Sequence, residues 1–193
     1  MTKRGIRRKD LVRDGELRDD GACRHLQGMR LPPIALGATN GDEIDVSRIP
    51  GRLVLYIYPR TSRPGEVPVP GWDRIPGARG CTAQSCAFRD HMSELGSLNV
   101  VQVFGLSTQD NAYQREMAKR LHLPFPVLSD AHLRFASALR LPTFTVVGLT
   151  LLKRVTFHIE DGVIEHVFYP IDSPEQNPRD VVAWLRSYRQ RLP

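Results

Sequence analysis

Leu53-Val54-Leu55-Tyr56-Ile57-Tyr58 is an unbroken apolar run, partly β-branched and bounded by Gly51 and Pro59. Six such residues between chain-breaking neighbours read as a strand buried on both faces, which needs covering layers on each side of its sheet. Val100-Val101-Gln102-Val103-Phe104-Gly105-Leu106-Ser107 is a second run of the same kind. Between them lie a Pro/Gly-rich loop at residues 60–80 and a helical pattern at 82–95 ended by Gly96. Ser107-Thr108-Gln109-Asp110 then resembles a helix cap, with a helix to about Leu121 and a further helix at 130–139. Strands follow at 143–147, 154–159 and 163–169, the last two joined around Asp161-Gly162. An amphipathic helix at 179–189 closes the chain, carrying Val181, Val182, Trp184 and Leu185. Upstream, Asn40-Gly41 predicts a hairpin turn between Ile34-Ala35-Leu36 and Ile44-Asp45-Val46. This order predicts an α/β layer fold, a central mixed sheet flanked by helices.

The chain has 193 residues, 41% of them hydrophobic and 25% charged, enough for one domain with a real core. Residues 1–30 mix basic and acidic side chains with little apolar periodicity and read as a basic N-terminal arm, leaving 31–193 as the folded domain. The net charge of +6 is spread rather than gathered into a motif, which argues against a nucleic-acid partner. No apolar run approaches the roughly 20 residues that span a bilayer, and the basic start is not followed by the apolar segment of a secretory signal. The expectation is a cytoplasmic protein without a membrane partner. Three cysteines argue against a disulfide framework and fit a reducing compartment. Cys23 and His25 do not stand at zinc-site spacing with Cys81 and Cys86, so no metal is expected.

Chemistry is concentrated in Gly80-Cys81-Thr82-Ala83-Gln84-Ser85-Cys86. Unpaired N–H groups and the positive end of the macrodipole stabilise a thiolate in a first helical turn, making Cys81 a candidate nucleophile. Cys86 follows five residues later, which in an α-helix is a rise of about 7.5 Å and a turn of roughly 140°. That exceeds the usual limit of about 7 Å between bridged Cα atoms, so a bond between the two requires the helix to unwind locally. Arg154 begins an apolar strand pattern and is costly to bury without a partner, which points to a place beside a thiolate. Arg89 and Asp90 read as a helix-face ion pair, and the histidines at 91, 122, 132, 158 and 166 as structural or exposed. Trp72, in the loop before Cys81, either walls a pocket or anchors the loop.

Taken in order, Tyr56-Ile57-Tyr58-Pro59, Gly80-Cys81-Thr82 with Cys86 and Arg89-Asp90, Gly105-Leu106-Ser107-Thr108, Leu128-Ser129-Asp130 and Arg154-Val155-Thr156-Phe157 leading to Asp161-Gly162 resemble a peroxiredoxin of the bacterioferritin-comigratory or peroxiredoxin Q type over residues 31–192. The resemblance implies a thioredoxin-like fold and a thiol peroxidase, with Cys81 matching the peroxidatic cysteine, Cys86 the resolving cysteine and Arg154 the arginine beside the thiolate. It implies hydrogen peroxide or an organic hydroperoxide as substrate, thioredoxin or a similar dithiol as reductant, no cofactor, and a monomer or homodimer. The approach loop departs from the family pattern of Pro, three residues, Thr or Ser, two residues, Cys, because Arg74 and Ala78 stand at those offsets. Read as an insertion, Pro59 supplies the proline and Thr61 or Ser62 the hydroxyl, with residues 66–79 looped out. Within this chemistry, a peroxidase with Cys81 alone makes Cys86 a packing residue. An alternative on the same fold is a redox-sensing or interaction protein with little turnover.

Overall fold

In a computed structural model of the chain, residues 17–189 are described; the expectations for 1–16, over half of the basic arm, and for 190–193 lie outside them. The apolar run at 53–58 supplies β3 (Arg52–Ile57), buried at every position. Successive residues alternate faces: Leu53, Leu55 and Ile57 enter one core, Val54 and Tyr56 the other. On one side β3 pairs in parallel with β4 (Val100–Ser107), and on the other antiparallel with β8 (Val155–Glu160).

With β1 (Ala35–Ala38), β2 (Glu43–Asp45), β5 (Val127–Ser129) and β9 (Val163–Phe168), these strands form a mixed seven-stranded sheet in the order β2-β1-β5-β4-β3-β8-β9. Helices α1 (Cys81–Asp90), α2 (Met92–Ser97), α3 (Asn111–Arg120) and α5 (Asn177–Arg189) place Phe88, Leu95, Met117, Val181 and Leu185 against the Tyr56 face. Helix α4 (Arg134–Leu139) covers the opposite face with Phe135 and Leu139.

Several expectations change in detail. The single helix predicted over 82–95 breaks at His91, whose ring Nδ1 lies 2.8 Å from the Ala87 carbonyl and whose backbone leaves the helical region; Gly96 falls inside α2 instead of ending the helix. The helix expected from residue 130 starts at Arg134, because the Asp130 carboxylate accepts the amides of Phe135 and Ala136 at 3.1 and 2.8 Å and caps it from outside. The strand predicted near 143–147 is β6 (Thr143–Val146), which leaves the main sheet and pairs with the unforeseen β7 (Leu149–Leu152) as a separate ribbon. β5 was also unforeseen, being three residues long behind Pro124 and Pro126.

The expected boundary at 30/31 falls inside packed chain. Leu26 is fully buried and Cys23 nearly so, and the amide of Ile164 bonds the Met29 carbonyl at 2.9 Å while Leu31 bonds Gly162 at 2.8 Å. The outer edge of β9 carries unpaired backbone groups, and this segment satisfies them.

Candidate active site

Gly80 opens α1 in the left-handed region, φ 90° and ψ 11°. A Cβ there would lie 2.8 Å from Pro174 Cγ, so both backbone and space call for glycine. Cys81 is thereby the first residue of α1, with its side chain 4% exposed. Arg154, immediately before β8, is also 4% exposed and donates from Nη2 to Cys81 Sγ at 3.2 Å. The same nitrogen reaches the carbonyls of Arg79 at 2.8 Å, Gly77 at 3.3 Å and Ala78 at 3.5 Å. The loop before the helix therefore presents three backbone acceptors to one guanidinium, and the cation is held where a sulfur anion would form.

Nη1 of Arg154 donates to Gln84 Oε1. Gln84 is fully buried and in turn donates to Asn177 Oδ1 at 3.0 Å, an oxygen that also accepts from Thr156 Oγ1 at 2.8 Å. α1, α5 and β8 are thus tied into one polar chain that fixes the guanidinium plane. Ser85 Oγ donates to the Cys81 carbonyl at 3.1 Å and accepts from Tyr56 OH at 3.1 Å, joining β3 to the first turn of α1. Burial pushes the Tyr56 and Tyr58 phenols far up, so both stay protonated, and Tyr56 is the one that donates to Ser85.

The sequence reading did not single out Gln84, Ser85, Thr156 or Asn177. For Gln84 the signal was available, since a residue three positions after Cys81 shares its helix face. Asn177 comes from the start of a helix over ninety residues away in sequence, and no local pattern marks it.

Pro59 is buried just beyond β3, next to Tyr58, which packs in the same cluster as Cys81. Thr61 is buried but turned to Gln109: its amide donates to Gln109 Oε1 at 2.8 Å, its hydroxyl to the same oxygen at 3.2 Å, and Gln109 Nε2 returns a bond to its carbonyl at 3.0 Å. No hydrogen bond joins Thr61 to Cys81 or Arg154, and Ser62 is exposed. Ala78, at the offset where a hydroxyl was looked for, is fully buried and meets the thiol through its backbone: Cys81 Sγ donates to its carbonyl at 3.5 Å. Cys86 is half-buried in the same intact α1, with both thiols free. Cys23 sits in the core on the other side of the sheet, apart from Cys81. Trp72 packs on Phe144 at 6.2 Å between ring centroids, the anchoring role of the two foreseen for it. Arg89 pairs with the adjacent Asp90 at 2.8 Å and also donates to the Leu121 carbonyl.

No helix among the described residues is long and apolar enough to cross a membrane. A family model described as Redoxin matches residues 26–185. The chain is 30% identical to the Peroxiredoxin Bcp of Escherichia coli K12 over 163 residues, covering 81% of this chain and 93% of that protein. It is 28% identical to the chloroplastic Peroxiredoxin Q of Oryza sativa subsp. japonica, covering 83% of this chain and 67% of that one. Among solved structures, Peroxidoxin BcpB of Mycobacterium tuberculosis superposes with a TM-score of 0.68 at 25% identity, over 83% of this chain and 96% of its own. Peroxiredoxin Q of Xanthomonas campestris gives 0.66 at 18% identity, a likeness of fold.

Proposed function

The chain belongs to the peroxiredoxins, and from that premise we propose that it reduces hydrogen peroxide or an organic hydroperoxide with Cys81 as nucleophile, Cys86 as resolving thiol and thioredoxin or a similar dithiol as reductant. The observation that carries the reading is the 3.2 Å approach of the Arg154 guanidinium to Cys81 Sγ at the start of α1. A helix N-terminus and a fixed cation both favour thiolate over thiol. The thiolate sulfur attacks the terminal oxygen of the hydroperoxide: an S–O bond forms, the O–O bond breaks, and its electron pair leaves on the other oxygen, which takes up a proton as water or an alcohol. Arg154 donates toward the oxygen on which charge develops. Cys81 is left as a sulfenic acid; the Cys86 thiolate attacks its sulfur, an S–S bond forms, the S–O bond breaks, and the departing hydroxide takes up a proton as water. A dithiol then reduces that bond by exchange through a mixed disulfide.

Cys81→Ser abolishes peroxide consumption in this reading, because a serine hydroxyl stays protonated at neutral pH. Thiol counting after one equivalent of peroxide separates two cysteines from one: loss of two thiols per chain without a covalent dimer supports Cys86, and a persistent sulfenic acid at Cys81 removes it. Retained activity in Cys81→Ser moves the nucleophile elsewhere.

A sensor with little turnover is the second reading, and it is favoured by the absence of a hydroxyl at Ala78 and the engagement of Thr61 with Gln109. Oxidation by one equivalent of peroxide without steady-state consumption in a thioredoxin system would select it.

A further inference from the structure

Two stretches for which the family spacing makes no provision meet beside Arg154. One is the loop that delivers the carbonyls of Gly77, Ala78 and Arg79 to Arg154 Nη2. The other is the segment at 17–20, upstream of the part of the chain that the family covers. The end of the loop is shaped from within: the Ile75 amide bonds the Trp72 carbonyl at 3.2 Å, the Ala78 amide bonds the Ile75 carbonyl at 3.1 Å, and Arg79 pairs with Asp73 at 3.2 Å. Such bonds fix the loop's shape but not where it stands against the sheet. Outward, Trp72 rests on Phe144, and Leu17 sits over Gly77, where a Cβ would lie 3.2 Å from Leu17 Cδ1. The Leu17 amide in turn donates to Asp172 Oδ1 at 3.3 Å.

Three residues on, Asp20 is clamped to the sheet. Its Oδ2 pairs with Lys153 Nζ at 2.7 Å, and its Oδ1 accepts the Tyr169 hydroxyl at 2.9 Å and the Ala22 amide at 3.0 Å. An exposed ion pair by itself contributes little, but this carboxylate gathers three partners. Lys153 is the residue before Arg154 in the link from β7 to β8. The segment therefore touches, at its two ends, the backbone that carries the arginine and the loop that its guanidinium meets. A cavity of about 250 Å³ lined by Leu17, Asp20, Gly77, Lys153 and Arg154 lies between those ends, so the end contacts rather than continuous packing hold the strap in place.

We propose that Leu17 and Asp20 are positioning residues for the peroxide step: together they set the separation of the loop from the start of β8, and with it the place of the Arg154 guanidinium against Cys81 Sγ. The inference rests on Cys81 as nucleophile and on Arg154 as the cation that serves it. Neither residue bonds to Cys81, so both act through Arg154. A misplacement of about 1 Å in a group of this kind can cost as much as about a hundredfold in rate.

The test is a double-mutant cycle on single-turnover oxidation of Cys81 by hydrogen peroxide in the full chain. Leu17→Ala and Asp20→Ala are each expected to slow oxidation about three- to tenfold. In an Arg154→Met background the same substitutions should change the rate less than about twofold, because the group they position is gone. Equal slowing in both backgrounds is a general effect on the fold and overturns the proposal. An unchanged rate in both single variants overturns it too, as does faster oxidation, which would make the strap a brake. Leu17→Met and Asp20→Glu keep the packing and the carboxylate and should stay within about twofold of wild type. Failure of peroxide to oxidise Cys81 in the wild type, or a wild-type rate in Arg154→Met alone, removes the reading beneath and the proposal with it. Hydrogen exchange gives a second measurement that needs no turnover: the Ala78 amide should lose protection in Asp20→Ala, and unchanged protection overturns the strap.

Discussion

Arg154 is a buried cation with no carboxylate partner among the described residues; it is held by one amide oxygen, three backbone carbonyls and the sulfur of Cys81. Dipoles alone compensate a buried charge incompletely. The Cys81 sulfur, 3.2 Å from Nη2, is the one side-chain group besides Gln84 that the guanidinium meets. Replacing Arg154 by Met keeps much of the bulk and deletes the charge, and should slow peroxide attack about ten- to a hundredfold. Stopped-flow oxidation of Cys81 measures this, and an unchanged rate would remove the role given to the guanidinium. Cys23 is the opposite kind of cysteine. Burial first, then the charges of Asp20 and Asp19, push its thiol up to about 12. Thiolate is the reactive form, so Cys23 should remain reduced after one equivalent of peroxide, as peptide mass mapping can establish.

At the scale of one element, α1 carries both Cys81 and Cys86 as a continuous helix with free thiols. Their separation along a helix exceeds what a disulfide spans. Closing that bond must melt the first turns, and the bonds that tie those turns down are the ones to break: Ser85 to the Cys81 carbonyl, Tyr56 to Ser85, and Gln84 to Asn177. Local opening of this kind draws on the low-stability end of a structure. Amide hydrogen exchange on reduced and oxidised protein should therefore lose protection over residues 82–90 on oxidation, with β4 unchanged. Equal protection in both states, with the Cys81–Cys86 bond confirmed by mass spectrometry, would mean that the bond forms without unwinding α1. The start of α1 was legible in the sequence because Gly80 and Thr82 flank Cys81 in a helix-start pattern; its end was not, because His91 breaks the helix by a side-chain contact that no periodicity encodes.

For the whole molecule, the packing of α5 on the sheet sets a pH limit. His158 on β8 is fully buried between Trp184 and Tyr188, at ring-centroid distances of 4.9 and 5.7 Å. Burial, then the charges of Arg52 and His166, lower its pKa from 6.5 to about 3. Glu160 stands 3.6 Å from Nε2, too far for a hydrogen bond, and its carboxylate is taken by Arg52 at 3.2 Å. Between pH 6.5 and about 3 the unfolded chain holds a proton at this residue that the folded chain does not. Stability therefore falls as pH falls through that window, by at most about 1.4 kcal/mol per pH unit for one group. Asp20, lowered from 3.8 to about 2 chiefly by its hydrogen bond with Lys153, adds its own loss as pH falls from about 3.8 to about 2, overlapping only the acid end of that window. His158→Phe should flatten the dependence of Tm between about pH 7.5 and about pH 4.5, and a dependence as steep as the wild type would place the acid sensitivity elsewhere.

Period and composition were enough to read the layered α/β fold, the two central strands and the hairpin at Asp161-Gly162, because an unbroken apolar run and a turn dipeptide act within a few residues of themselves. The same local logic put Cys81 at a helix start. It failed wherever a distant partner decides. The segment at 20–30 is polar enough to read as an arm, yet Leu26 and the open edge of β9 pull it into the core. Leu149–Leu152 carries no turn signal of its own and becomes a strand by pairing with β6. Thr61 and Ala78 stand where sequence spacing offered either an inserted loop or a lost hydroxyl; the fold turns Thr61 to Gln109 and leaves three loop carbonyls and Gln84 to hold Arg154. A hydrogen bond depends on position in space, and residues 77–84, 154 and 177 become neighbours only after the sheet and its helices have packed.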